Sequence, residues 1–169
     1  MHLCGHTPFI RMNMSIDNEI NQKIFRNEHQ KATINLIYTY NWLMEKSRPI
    51  FERYDITSQQ FNILRILRGA GEPLSTMQIR QRMLDKMSDT SRLVDRMIKK
   101  GFVKKVVCKT DKRLVDVTIA EKGRKLLEQM DQCETEIDGL IKNISEEQAA
   151  TLNNLLDAIR HTDGSSGMC

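Results

Sequence analysis

Apolar residues recur at helical spacing along most of this chain, and one central stretch replaces that rhythm with a shorter one. Ile16, Ile20, Ile24, Ile34, Ile37, Tyr38 and Leu43 fall on the i, i+3, i+4 ladder of an amphipathic helix. They predict a long first helix from Ile16 that ends before Pro49, because the residue preceding a proline is pushed out of helical geometry. Its apolar positions exceed what one neighbour would cover, so part of that face is expected to meet a second chain. Thr57 or Ser58 can cap a second helix carrying Phe61, Ile63, Leu64, Ile66 and Leu67 up to Gly69, and Gly69-Ala70-Gly71-Glu72-Pro73 breaks it. Ser75 is the N-cap of a third helix over 76–83, with Met77, Ile79, Met83 and Leu84 as its inward face. After a turn at 85–87, a fourth helix spans about 88–100, with Leu93, Val94, Met97 and Ile98 facing the core and Gly101 as its stop.

The period then changes. Phe102 to Cys108 and Arg113 to Ile119 are rich in Val and Ile and read as two strands joined by Lys109-Thr110-Asp111-Lys112. Helical spacing returns through Leu126, Leu127, Met130, Cys133 and Ile137. A last helix starts at Ser145, where Ser145 and Gln148 make an S-x-x-Q capping box and Leu152, Leu155, Leu156 and Ile159 line the inner face. Two short helices followed by a hairpin are the layout of a winged helix-turn-helix. The fold class is therefore mainly α with a small β-wing. A winged unit at 55–120 is flanked by N- and C-terminal helices (16–54 and 121–163) that are expected to come together as a dimerisation region of a single domain, 16–163. Residues 1–15, with Gly5, Pro8 and three methionines, show no periodicity and read as a flexible arm or an extension ahead of an internal start at Met12 or Met14. Residues 164–169 read as a disordered tail.

Charge sharpens this picture. Between Arg80 and Arg113 there are 12 Lys/Arg and 4 Asp/Glu, a net +8, so the rest of the chain carries 14 against 18, a net −4, beneath an overall +4. Basic charge gathered on one structural unit suits a polyanion. A solvated charged face is the plainer reading of any charge run, but here the run coincides with a DNA-binding layout. The outer face of the fourth helix carries Ser88, Asp89, Ser91, Arg92, Asp95, Arg96 and Lys99, small-polar and basic groups suited to base edges and phosphates. Lys104, Lys105, Lys109, Lys112 and Arg113 would project along the wing, with Arg113 nearest the tip, where it can enter a minor groove.

From Tyr54 to Met130 the chain resembles the multiple-antibiotic-resistance-regulator (MarR) family of bacterial transcription factors. The resemblance rests on Thr57-Ser58-Gln59-Gln60-Phe61, on Leu93-Val94-Asp95-Arg96-Met97-Ile98-Lys99-Lys100-Gly101-Phe102-Val103, on the D-x-R wing signature Asp111-Lys112-Arg113, and on Thr118-Ile119-Ala120-Glu121-Lys122-Gly123. It implies a homodimer that presents two recognition helices to successive major grooves of a pseudo-palindromic operator in double-stranded DNA, usually as a repressor released by a ligand or by oxidation. Carried over by position, Ser88, Thr90, Ser91, Arg92, Arg96 and Lys99 belong to the DNA surface, with Ser91 and Arg92 at base edges or nearby phosphates. On the wing, Lys109, Asp111, Lys112 and Arg113 join them, Asp111 holding the tip and Arg113 reaching the minor groove. The chain departs from the common pattern at Ser88-Asp89-Thr90; Asp89 can accept from a cytosine amino group or cap the helix, and the cap is the reading favoured here.

The signal is less legible. A small aromatic effector could be lined by Tyr38, Trp42, Arg53 and Tyr54, with Tyr40 and Phe51 nearby, although aromatic residues at such spacings are more often core. Cys4, Cys108, Cys133 and Cys169 form no C-x-x-C pair, so free thiols are the default and neither structural zinc nor a disulfide framework is indicated. Cys4 in the arm and Cys108 on the wing are the places where an oxidant could act. His2, Cys4 and His6 place three metal-capable groups together without a fourth, so no metal or other cofactor is expected. No window approaches the roughly 20 apolar residues of a membrane span, and a cytoplasmic protein is expected. No nucleophile-base-orienter set or phosphate-cradling glycine loop points to an enzyme. The competing reading is a winged-helix protein-interaction or adaptor module without specific DNA binding.

Overall fold

The computed structural model describes residues 15–107 and 115–161. Two compact units meet within one helix, residues 1–45 and 46–169, and each is considered by itself.

In the first unit, α1 (Ile16–Glu19) is a single turn that buries Ile16, and α2 starts at Glu28. The continuous helix expected from Ile16 is therefore two helices. Asn21 adopts φ 51°, the left-handed region in which Asn is enriched, and the Asn27 side chain accepts from the Gln30 N–H at 2.9 Å, an N-cap for the new start. Lys31 Nζ reaches Asp17 at 2.8 Å, and Tyr38 donates to Glu19 at 2.7 Å, tying α2 back to α1.

α2 runs from Glu28 to Glu52 with Pro49 inside it. The expected stop at Pro49 does not occur. Proline removes one backbone donor and crowds the preceding turn, but Ile50 and Phe51, just after it, are buried in the second unit and hold the last turn helical.

The second unit is the winged arrangement. α3 (Ser58–Ala70), α4 (Thr76–Arg82) and α5 (Thr90–Lys99) are followed by β1 (Val103–Val107) and β2 (Val115–Ile119), then α6 (Glu121–Asp131). Thr57 and Ser75 each form a capping box, with Gln60 and Gln78 at the third helical position; a cap of this kind stabilises a helix by about 1 kcal/mol. The strands pair antiparallel in the register Val103↔Ile119 to Val107↔Val115. Leu74 adds a bridge to Val117 through two backbone hydrogen bonds of 3.0 and 2.8 Å. The core gathers Ile63, Leu64 and Leu67 of α3, Ile79 and Met83, Leu93, Val94 and Met97 of α5, Val103, Val117 and Leu127.

Three further expectations change. Met77 and Leu84 face outward, at 63% and 86% exposure. Met77 lies two residues from the buried Ile79, about 200° round the helix, so the two cannot share an inner face. The helix expected through Ile137 breaks at Cys133 into α6, α7 (Glu134–Asp138) and a 3-10 turn at Gly139–Ile141. α8 (Glu146–Arg160) has the expected Ser145–Gln148 capping box but buries none of its residues, and Leu152, Leu155 and Ile159 are exposed. Among the described residues no helix is long and apolar enough to cross a membrane.

Candidate nucleic-acid interface

α5 owes its orientation to a steep division between its two sides. Thr90, Leu93, Val94 and Met97 are buried, whereas Ser91, Arg92, Asp95, Arg96 and Lys99 are exposed. Asp89 caps the helix, accepting from the Arg92 N–H at 3.1 Å. At the other end Gly101 takes φ 77°. Phe102 N–H donates to Met97 O and Gly101 N–H to Ile98 O, both at 2.9 Å; this Schellman closure requires the left-handed glycine. The chain therefore turns from α5 into β1 through three residues. The corner is held from behind by Lys122, whose ammonium donates to Lys100 O at 2.9 Å and lies 5.0 Å from the centre of the Phe102 ring. Lys100 in turn reaches the Asp55 carboxylate at 2.8 Å.

The predicted residues of α5 separate into two groups. Ser88 and Ser91 line a cleft of about 480 Å³ with Thr76, Met77, Arg80 and Met87, between the starts of α4 and α5. Arg96 and Lys99 line a second cleft of about 470 Å³ with Glu52, Asp55 and Thr57. Ser88 precedes the helix, its hydroxyl donating to Asp85 O at 2.9 Å. Thr90 is placed on the inner side at 3% exposure, with no hydrogen-bond partner for its hydroxyl, and it borders the first cleft. Lys109, Asp111, Lys112 and Arg113 lie outside the described residues, as do Cys4, Cys108, Cys169 and the His2-Cys4-His6 cluster.

Acidic groups moderate this surface. Arg92 Nε is 3.1 Å from Asp89, and Lys105 on β1 is 3.3 Å from Asp95 on α5. By strand alternation Lys105 shares a face with the buried Val103, and the ion pair with Asp95 marks where the hairpin leaves the core. This link between α5 and the wing was not read from sequence; neither was the contribution of Thr76, Arg80 and Met87, which depends on how two helix starts converge.

The candidate effector residues fall in different units. Tyr38 and Trp42 line a cleft of about 270 Å³ with Ile16, Glu19, Asn35 and Thr39 in the first. The bond to Glu19 holds the Tyr38 phenol above its ordinary pKa. In the second, Arg53 pairs with Glu136 at 2.6 Å, and the Tyr54 hydroxyl lies 3.1 Å from the buried Cys133 thiol, which raises the Tyr54 pKa. Both polar groups thus already have partners. Among the described residues no group of three or more His, Cys, Asp or Glu could hold a metal.

Comparison with known proteins agrees with this geometry. The family model described as "MarR family" matches residues 54–114. The HTH-type transcriptional regulator TcaR of Staphylococcus aureus is 31% identical over 138 residues, covering 79% of this chain and 90% of that protein. Of solved structures, a mutant MarR from E. coli complexed with operator DNA superposes with TM-score 0.62 at 25% identity, over 85% of this chain and 97% of that one. NadR in complex with 4-hydroxyphenylacetate gives the same TM-score and identity over 83% and 100%. A capped, outward-basic second helix leading through a glycine corner into a two-stranded wing, together with these relatives, places the chain in the MarR family of winged-helix transcriptional regulators.

Proposed function

We propose that this protein is a homodimeric repressor that binds a pseudo-palindromic operator through α5 and the wing and is released by a small-molecule or oxidant signal. The observation that carries the reading is the exposed stripe of α5, where Ser91, Arg92, Arg96 and Lys99 stand on one side of a helix whose other side is core. Ser88 and Ser91 supply short polar groups for base edges, and Arg92, Arg96 and Lys99 supply cations for phosphates or guanine. Lys109, Asp111, Lys112 and Arg113, which belong to the same basic stretch of sequence, are assigned to the DNA surface by the family resemblance. The operator complex of the E. coli MarR mutant supports DNA as the partner.

Dimerisation is supported by apolar side chains left bare in one chain: Leu36, Ile37 and Tyr40 of α2 and, separately, Leu152, Leu155 and Ile159 of α8. Such faces cost solvation unless covered. The effector is a small aromatic acid, by analogy with 4-hydroxyphenylacetate on NadR; Tyr38 and Trp42 in the first unit, and separately Arg53 and Tyr54 in the second, are candidate contacts. A carboxylate that takes Arg53 must displace Glu136. Repression of this kind is a cytoplasmic and non-enzymatic role.

An electrophoretic shift with DNA flanking the protein's own gene, across a salt series and with nonspecific competitor, tests the reading. A saturable complex that survives competitor and weakens steeply with salt is expected, because phosphate contacts release counterions. Absence of salt-sensitive binding to any DNA would overturn it in favour of a protein-interaction module.

A further inference from the structure

Two large apolar side chains stand in the open on the surface just assigned to DNA. Met77, the second residue of α4, is 63% exposed, and Met87, two residues before the N-cap of α5, is 93% exposed. Both line the cleft that contains Ser88 and Ser91. We propose that Met77 and Met87 form an apolar lip that reads the 5-methyl group of thymine in the major groove. The inference rests on the DNA-binding reading above and adds a base preference to it.

Met87 is presented by a turn that is tied down. Leu84 N–H donates to Asn62 Oδ1 at 3.0 Å, and Asp85 accepts from the Met87 N–H at 3.0 Å and from Gln59 Nε2 at 3.4 Å. Asn62 and Gln59 belong to α3, so the turn is stapled to the helix behind it. A turn fixed in this way carries its apolar side chain outward at little further loss of freedom on binding. The rim of the cleft is polar and of mixed charge, with Arg80, Ser88, Asp89 and Ser91 and Arg92, paired to Asp89, one residue beyond, but the stretch from Arg80 to Arg113 that holds it carries a net +8. That net charge suits a polyanion and repels a second copy of itself. On a polyanion of this kind the apolar group offered by the base edges of the major groove is the thymine methyl. Methionine is unbranched and polarisable and can follow such a group across small changes of register.

The test uses full-length protein and a duplex selected by it from a randomised pool, with each thymine replaced in turn by deoxyuridine. Loss of a buried methyl group lowers affinity about fourfold. At one or more positions the wild type should show this loss, whereas Met87→Ala or Met77→Ala should bind the thymine and deoxyuridine duplexes equally at the matching position. Leu84→Ala removes an equally exposed apolar side chain that does not line the cleft, and it should keep the wild-type sensitivity. These side chains are exposed, so the variants should melt as the wild type does. Specific binding with no deoxyuridine effect at any position overturns the proposal and leaves the operator reading intact. Sensitivity that persists in both methionine variants, or disappears in Leu84→Ala, also overturns it. Failure to select any duplex overturns the operator reading itself and this proposal with it.

Discussion

Replacing Gly123 by alanine tests how the corner behind the recognition helix is built. A Cβ at this position in α6 would lie 2.2 Å from Phe102 O, 3.1 Å from Phe102 C and 3.1 Å from Ile119 Cγ1. To restore ordinary contact, helix and strand must part by about 1 Å. Neither side gives readily. Phe102 O accepts from Ala120 N–H at 2.9 Å, Phe102 N–H closes α5, and the ring is buried at 5% exposure. Crowding of this kind costs about 1–3 kcal/mol, and loss of the Ala120 bond adds about 1 kcal/mol. Against this, alanine in a helix gains about 1 kcal/mol over glycine. The net expectation is a destabilisation of about 1–3 kcal/mol, read by urea unfolding followed by circular dichroism at fixed protein concentration. DNA affinity should fall as well, because Phe102 lies between α5 and β1. A variant as stable as the wild type, or more stable by the propensity gain, would refute the packing argument.

Asp89 has two separable roles. Asp89→Ser keeps an N-cap for α5 but removes the carboxylate beside Arg92. Unfolding stability should stay within about 0.5 kcal/mol, while affinity for DNA at low salt rises up to about fivefold, the scale of an exposed ion pair; equal affinity would show that Asp89 does not moderate the surface. At the Arg68–Asp131 pair, two hydrogen bonds of 2.7 and 2.8 Å tie α3 to α6 and hold the Asp131 carboxyl below its ordinary pKa. Because the pair is more than a third exposed, Asp131→Asn should cost no more than about 1 kcal/mol near neutral pH. A lowered folded-state pKa contributes stability above the ordinary aspartate range and loses it as pH falls through the lowered value. The difference between wild type and variant should therefore shrink on acidification, and growth at acid pH would contradict the assignment.

The winged unit is legible in the sequence because its signals are local. Thr57, Ser75, Asp89 and Ser145 are cap residues whose partners lie three positions away, and the change from helical to alternating spacing after Gly101 marks the hairpin. Failures occur where a distant contact or the exact helical phase decides. Nothing near Pro49 reveals that Ile50 and Phe51 are buried and keep the helix going past it. The break at Asn21 requires weighing one left-handed residue and the Asn27 cap against a run of isoleucines. Met77 is the instructive case: it lies on the wrong side of α4 from Ile79, and the helical wheel alone contains that information. Thr90 takes its place on the DNA surface from the motif alone, and only the structure shows that this first residue of α5 is buried while bordering the cleft of Ser88 and Ser91. The two clefts that separate Ser91 from Arg96 and Lys99 arise from how the end of α2 and the starts of α3 and α4 lie around α5, which no spacing along one helix encodes.

The closed corner at Gly101 has a mechanical meaning. α5 ends at Lys99 and β1 begins at Val103, with the Phe102 and Gly101 amides bonded back into the helix and Lys105 paired to Asp95 across the angle. The three residues between helix and strand are held by these bonds, so movement of α5 is expected to carry β1 with it. On the DNA-binding reading proposed above, tilting α5 swings the paired strands with it. A displacement too small to break any one contact outright can then degrade two sets of contacts together, and a modest signal can produce a sharp release.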